Sequence, residues 1–211
     1  MGDSIAKGTG DDTGKGLSLF LRDYLKNQTP KEILANAIGI DGLQISGLLE
    51  LLQGEKMTPA LAAADILLIS IGGNDLRQLR RLNDMARDEG FQKAFDGYAV
   101  GLVSVLKMIR RINSDALVMV IGLYYPSVQD VSPDEVRLLL AWNEDTQKII
   151  EQDRRAIFIP TYDLFKLNIS KYLARDGLHP NASGYQAIAE RIGKNIGGYL
   201  NGGQPSAQKN H

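Results

Sequence analysis

Short apolar runs alternate along this chain with longer stretches in which apolar residues recur every three or four positions. Ile33–Ile40, Ala64–Ile71, Ala116–Gly122 and Ala156–Pro160 are brief, rich in β-branched residues and closed by turn formers. Runs of that kind read as strands buried on both faces of a parallel sheet. Between them, Leu17–Lys26 and Ser46–Gln53 carry helix-spaced leucines, and Asp75–Asp88 and Phe91–Ile112 also keep the helical period. Ser132-Pro133-Asp134-Glu135 predicts a helix start, with a capping serine, a proline at the first position and acids facing the dipole. That helix should run to about Gln152, and a last one from Ala182 to about Tyr199, where Gly197-Gly198 weakens its end. Asn201–His211 reads as a frayed tail, leaving one domain over residues 1–200. Strands alternating with helices predict a three-layer α/β domain.

In such folds ligands bind beyond the carboxyl ends of the strands. The segments that follow the predicted strands are Asp41-Gly42, Gly72-Gly73-Asn74-Asp75, Tyr124-Tyr125-Pro126 and Thr161 onward. Their chemistry is narrowed by scarcity. The 211 residues include two histidines, and His211 lies in the polar tail. His179 lies in Asp176-Gly177-Leu178-His179, where a carboxylate three residues upstream can fold back and accept the Nδ1 proton, leaving Nε2 as a base. The plainer alternative is a capping aspartate beside a surface histidine. Ser4, in Gly2-Asp3-Ser4, is the candidate nucleophile, because serine reacts when a neighbouring base takes its proton. If the chain performs that chemistry, the assignment is Ser4, His179 and Asp176.

Gly72-Gly73-Asn74 follows a strand, and the Asn74 amide suits a developing oxyanion; a helix-capping turn is the alternative. Gly39-Ile40-Asp41-Gly42 offers a glycine N–H for the same purpose, or simply a tight turn. Leu76, Tyr124 and Tyr125 at the rim would suit an acyl chain or a small alkyl ester, with Asp3 and Gly73 completing the substrate-contacting set. Tyr124-Tyr125-Pro126 reads equally well as the edge of the core.

Other motifs fall away. Gly8–Gly16 invites a phosphate-loop reading, but Thr9 stands where the first glycine belongs and Gly16 where a Ser or Thr follows the lysine. It reads as a flexible loop leading into the first helix. Arg77, Arg80, Arg81 and Arg87 read as a solvated face paired with Asp84 and Asp88, and Trp142 as a residue packed on the sheet. A net charge of −1 favours neither nucleic acid nor anionic membrane as a partner. The absence of cysteine removes disulfides, thiolate catalysis and zinc-thiolate sites, and scattered carboxylates with one internal histidine give no metal site. No run reaches the roughly 20 apolar residues of a membrane span.

Taken in order, these pieces resemble the GDSL/SGNH hydrolase family, named for blocks that supply Ser, Gly, Asn and His. The blocks here are Gly2-Asp3-Ser4-Ile5, Gly42 after Asn36-Ala37-Ile38-Gly39, Gly72-Gly73-Asn74-Asp75 and Asp176-Gly177-Leu178-His179, with Pro180–Tyr185 as a typical tail. The resemblance is strongest to the bacterial lipase/acylhydrolase branch. It implies a flavodoxin-like fold of strand order 2-1-3-4-5. It also implies hydrolysis of a small-molecule ester or thioester without metal or cofactor, with the Ser4 N–H, the Gly42 N–H and the Asn74 amide as the oxyanion hole. Short loops imply an open cleft for short- or medium-chain acyl groups. The alternatives are a carbohydrate O-acetyl esterase, a lysophospholipase, or a catalytically silent binding module of the same fold. Two features depart from the family pattern. Ile5-Ala6 replaces a hydroxyl residue often found two positions after the nucleophile. Only Met1, Gly2 and Asp3 precede Ser4, where the family has a whole central strand. The first strand is therefore expected to be missing or truncated. Either Met1 is an internal methionine of a chain starting upstream, with a signal or membrane anchor, or a strand exchanged between two copies fills the gap as a homodimer.

Overall fold

Three parallel strands, β1 (Ile66–Ser70), β2 (Leu117–Ile121) and β3 (Ala156–Ile159), lie side by side in that order. They are seen in a computed structural model that describes residues 1–81, 84–126 and 131–200. Ile69 pairs with Val120, and Val120 with Phe158. All five residues of β2 are buried, as an apolar run without alternation requires of a strand covered on both faces. Its side chains then divide by parity. Val118 and Val120 join Leu67, Ile69, Trp142 and the helices α3 (Ile45–Gln53), α4 (Thr58–Ala62), α6 (Asp84–Ile112) and α7 (Pro133–Ile150). Leu117, Met119 and Ile121 join Ile157, Ile159 and the helices α2 (Gly16–Lys26), α8 (Tyr162–Lys166), α9 (Ile169–Tyr172) and α10 (Ala182–Leu200). Each fully buried Leu or Ile contributes on the order of 1.5–3 kcal/mol, so the two clusters fix which helix covers which face. The result is the expected three-layer α/β sandwich.

The predicted strand Ile33–Ile40 does not form. Extended backbone becomes a strand only when a neighbour supplies ladder hydrogen bonds, and here only residues 38–40 receive them, from Gly2. Gly2 N–H donates to Ile38 O and Ile40 N–H to Gly2 O, both at 3.0 Å, giving a single parallel bridge between Gly2 and Gly39. On its other side Gly2 bridges Ser70, with Asp3 N–H donating to Ser70 O at 2.9 Å and Ser70 N–H to Met1 O at 3.1 Å. Met1–Asp3 thus occupies the position between β1 and residues 38–40, which gives the 2-1-3-4-5 order with its first two members reduced to bridges.

Two other expectations need correction. The helices predicted over Asp75–Asp88 and Phe91–Ile112 divide elsewhere: a short α5 (Gly73–Arg77) and a 3₁₀ turn (Gln78–Arg81) precede one continuous α6. Gly90 does not break α6, because a mid-helix glycine costs only about 1 kcal/mol and the burial of Phe95, Tyr98 and Leu102 outweighs it. The Gly8–Gly16 loop is organised rather than loose. Asp11 accepts from the Thr13 N–H at 2.9 Å, the Thr13 hydroxyl at 2.7 Å and the Gly16 N–H at 2.8 Å, and Tyr185 Oη donates to Thr9 O at 2.8 Å. The α7 start is as predicted, a capping box in which Ser132 and Glu135 each bond the other's backbone N–H. Trp142 is buried with Phe95 and Tyr98 of α6, ring centroids 5.1 and 4.7 Å away. The expected pairing of Arg80, Arg81 and Arg87 with Asp84 and Asp88 falls outside the described side chains, and the tail 201–211 outside the described residues.

Candidate active site

Ser4 opens α1 (Ser4–Lys7), directly after the segment that lies beside β1, so its Oγ emerges at the carboxyl-end rim of the sheet. The Ser4 N–H is at the first helical position and has no acceptor within the helix. His179 comes from the loop before α10. That loop is tied by Ala174 N–H donating to His179 O at 2.8 Å, and by the Asn181 side-chain amide donating to Lys171 O and Leu173 O, both at 2.9 Å. Two segments separated by most of the chain therefore meet. His179 Nε2 lies 3.0 Å from Ser4 Oγ, and His179 Nδ1 lies 2.6 Å from Asp176 Oδ2. Asp176 Oδ1 accepts from the Leu178 and His179 N–H groups at 2.9 and 3.0 Å. Burial by itself would push the Asp176 carboxyl up, yet the His179 ring and those two N–H groups hold it below the ordinary carboxylate range. The aspartate stays ionised, and with the ring proton on Nδ1 the lone pair of Nε2 faces the serine hydroxyl.

Asp3 lies behind this line, 4% exposed, as the N-cap of α1. Its Oδ1 accepts from the Ser70 hydroxyl at 2.9 Å and from the Ile5 N–H at 3.0 Å. Burial pushes its carboxyl up to about 6 against the pull of those bonds. Asn74, in α5, donates one amide hydrogen to Leu43 O at 2.9 Å, and a carboxamide carries a second. Its neighbour Asp75, buried and raised above the ordinary range by burial, accepts from Ile45 N–H at the start of α3. Asn74 thus bonds the turn that holds Gly42.

A cleft of ≈ 540 Å³ opens at Ser4 and His179 and takes in every predicted site residue: Asp3, Ser4, Gly42, Gly73, Asn74, Leu76, Tyr124, Tyr125, Asp176 and His179. Tyr124 has a second task, for its hydroxyl donates to Leu178 O at 2.8 Å and its ring stacks on Phe165. Sequence reasoning missed several lining residues. Leu79, Leu138 and Leu139 form an apolar wall, and Thr9 and Asp41 line the polar side. The leucines carry only a core signal, since nothing in a helical period says that its apolar face opens onto a cleft. Asp41 is bound by the Lys7 ammonium and by the Thr9 hydroxyl, the latter at 2.6 Å. Those two bonds hold its carboxyl below the ordinary range. Asn143 clamps the cleft wall after β2, accepting from Leu123 N–H and donating to Leu123 O, both at 2.8 Å. Among the described residues no three His, Asp or Glu side chains converge as metal ligands, and no helix is long and apolar enough to cross a membrane.

Serine, histidine and aspartate in one hydrogen-bonded line at the carboxyl ends of parallel strands are an arrangement suited to acyl transfer. The GDSL-like Lipase/Acylhydrolase family model matches residues 1–187. The uncharacterized protein YpmR of Bacillus subtilis is 30% identical over 198 residues, 91% of this chain and 78% of that protein. The spore germination lipase LipC of Bacillus licheniformis is 26% identical over 202 residues, 91% of this chain and 92% of that protein. Among solved structures, the lipase Lip_vut3 from a goat rumen metagenome shares the fold with a TM-score of 0.83 at 24% identity, covering 94% of this chain and 95% of that one. The chain belongs to the GDSL-like lipase/acylhydrolase family, and it is a carboxylic ester hydrolase of the esterase/lipase type.

Proposed function

We propose that the protein hydrolyses carboxylic esters by two-step acyl transfer through Ser4. The observation that carries this reading is the imidazole of His179, bonded on one side to Ser4 Oγ at 3.0 Å and on the other to Asp176 at 2.6 Å. Ser4 Oγ attacks the ester carbonyl as His179 Nε2 takes its proton, and Asp176 stabilises the imidazolium. The carbonyl oxygen becomes an oxyanion facing the Ser4 N–H, the Gly42 N–H and the free hydrogen of the Asn74 amide. His179 then gives its proton to the leaving alcohol oxygen as the C–O bond breaks. In the second half a water loses its proton to His179 and attacks the acyl-serine. The carboxylic acid departs, and the proton returns to Ser4. No step calls on a metal or cofactor.

The substrate we infer is an ester of a short- to medium-chain acid, with acyl groups longer than acetyl preferred. The support is the apolar lining of the cleft, to which Leu76, Leu79, Leu123, Leu138 and Leu139 contribute along with Ser4. Each methylene buried there is worth about 0.8 kcal/mol, roughly fourfold in kcat/KM. The test pairs a fluorophosphonate probe with nitrophenyl acetate, butyrate and octanoate. Labelling at Ser4, loss of turnover in Ser4→Ala and rates rising from acetate are expected. A folded protein that neither labels nor turns over any ester overturns the mechanism. A steep preference for acetate, above all on acetylated sugars, transfers the substrate reading to a carbohydrate O-acetyl esterase.

A further inference from the structure

The turn that carries Gly42 is tied down from both sides. Leu43 N–H donates to Ile40 O at 3.1 Å, closing a four-residue turn with Gly42 at its third position and a φ of +77°. That position requires left-handed backbone, which favours glycine. The turn uses the N–H of its last residue and leaves that of Gly42 unspent. On one flank Asn74 donates to Leu43 O. On the other, the Asp41 carboxylate takes the Lys7 ammonium on Oδ2 and the Thr9 hydroxyl on Oδ1. Lys7 closes α1, the helix that begins at Ser4, and Thr9 follows the left-handed cap at Gly8. The backbones meet independently of these bonds: a Cβ on Gly39 would lie 2.2 Å from Lys7 N.

We propose that Asp41 is a positioning residue that locks the Gly42 turn onto the Ser4 helix, so that the N–H groups of Gly42 and Ser4 converge on one oxyanion. This rests on the acyl-transfer reading above. The two N–H groups belong to segments distant in sequence, and donors stabilise a transition state fully only when they are already in place. The Gly2 ladder fixes the chain as far as Ile40; beyond it, the Asp41 side chain makes the tie back to the helix. Asp41 and Lys7 are both about half exposed (side chains 51% and 52%), so the ion pair adds little to global stability. Its effect should therefore appear in the reaction and not in the folding equilibrium.

The experiment compares Asp41→Ala, Asp41→Asn, Thr9→Val and the Thr9→Val/Asp41→Ala double variant on nitrophenyl butyrate, beside Ser4→Ala and a boronic acid that mimics the tetrahedral adduct. For Asp41→Ala, kcat should fall about 10- to 100-fold with KM changed less than about twofold, and boronic acid affinity should fall in step. The urea midpoint should hold. Asp41→Asn, which keeps an acceptor for Thr9, should recover part of the loss, and the double variant should be little worse than Asp41→Ala alone. Wild-type kcat in Asp41→Ala, an effect confined to KM, or a loss seen only with a collapsed urea midpoint overturns the proposal. Activity retained by Ser4→Ala overturns the acyl-transfer reading instead, which keeps the two failures apart.

Discussion

The buried carboxyl of Asp3 should make the stability of this protein fall as pH rises through the acid range. Burial pushes that group from 3.8 up to about 6, a little over two units, or about 3 kcal/mol at about 1.36 kcal/mol per unit. A carboxyl whose folded-state pKa lies above its unfolded value stabilises the fold fully below the unfolded value, and that contribution is lost as pH rises through the folded one. About 2 kcal/mol of the total falls between roughly pH 4 and pH 6. Asp3→Asn removes the ionisation while keeping an oxygen in the place of Oδ1, where the Ser70 hydroxyl and the Ile5 N–H both donate. Urea unfolding of both proteins at several pH values isolates the term. Asp11, Asp163 and Asp176, all held low by their partners, titrate in both proteins and cancel in the difference. The wild type should lose about 2 kcal/mol more than Asp3→Asn across the window. Parallel curves for the two proteins would show that Asp3 ionises as freely folded as unfolded, and the burial argument would fail.

Three further outcomes follow from single contacts. Asp176→Asn keeps an acceptor for the Leu178 and His179 N–H groups but sets an amide donor against His179 Nδ1, so kcat should drop about 10⁴-fold with the urea midpoint nearly unchanged; a loss below tenfold would remove Asp176 from the mechanism. Gly10→Ala puts a methyl 2.6 Å from Pro180 O and 2.7 Å from His179 Cβ at a φ of +94°. The His179 loop must shift, so kcat should fall at least about tenfold, and a wild-type rate would mean that the loop yields freely. Asn143→Ala strips both bonds from Leu123, which should cost about 1–3 kcal/mol in urea and slow octanoate hydrolysis more than acetate. An equal effect on both esters would deny the wall its part in holding the acyl chain.

The positions of β1, β2 and β3, the capped start of α7 and the final helix could be read from apolar period and turn chemistry alone, because each is decided by residues close together in sequence. So could the candidate chemistry: with one internal histidine and a carboxylate three residues before it, few pairings were open. What local pattern could not settle was everything that depends on a partner from elsewhere in the chain. Ile33–Ile40 has the composition of a strand, but only Gly39 bridges another segment, at Gly2, so most of it forms no ladder. Gly90 has the composition of a helix breaker, and the aromatic face packed beneath α6 overrides it. Asp41 looks like any loop acid until Lys7 and Thr9 close on it, and Leu138 and Leu139 look like core until a cleft opens beside them. Propensity is a property of a few consecutive residues, whereas ladder bonds, burial and cleft walls are properties of pairs that only the folded chain brings together.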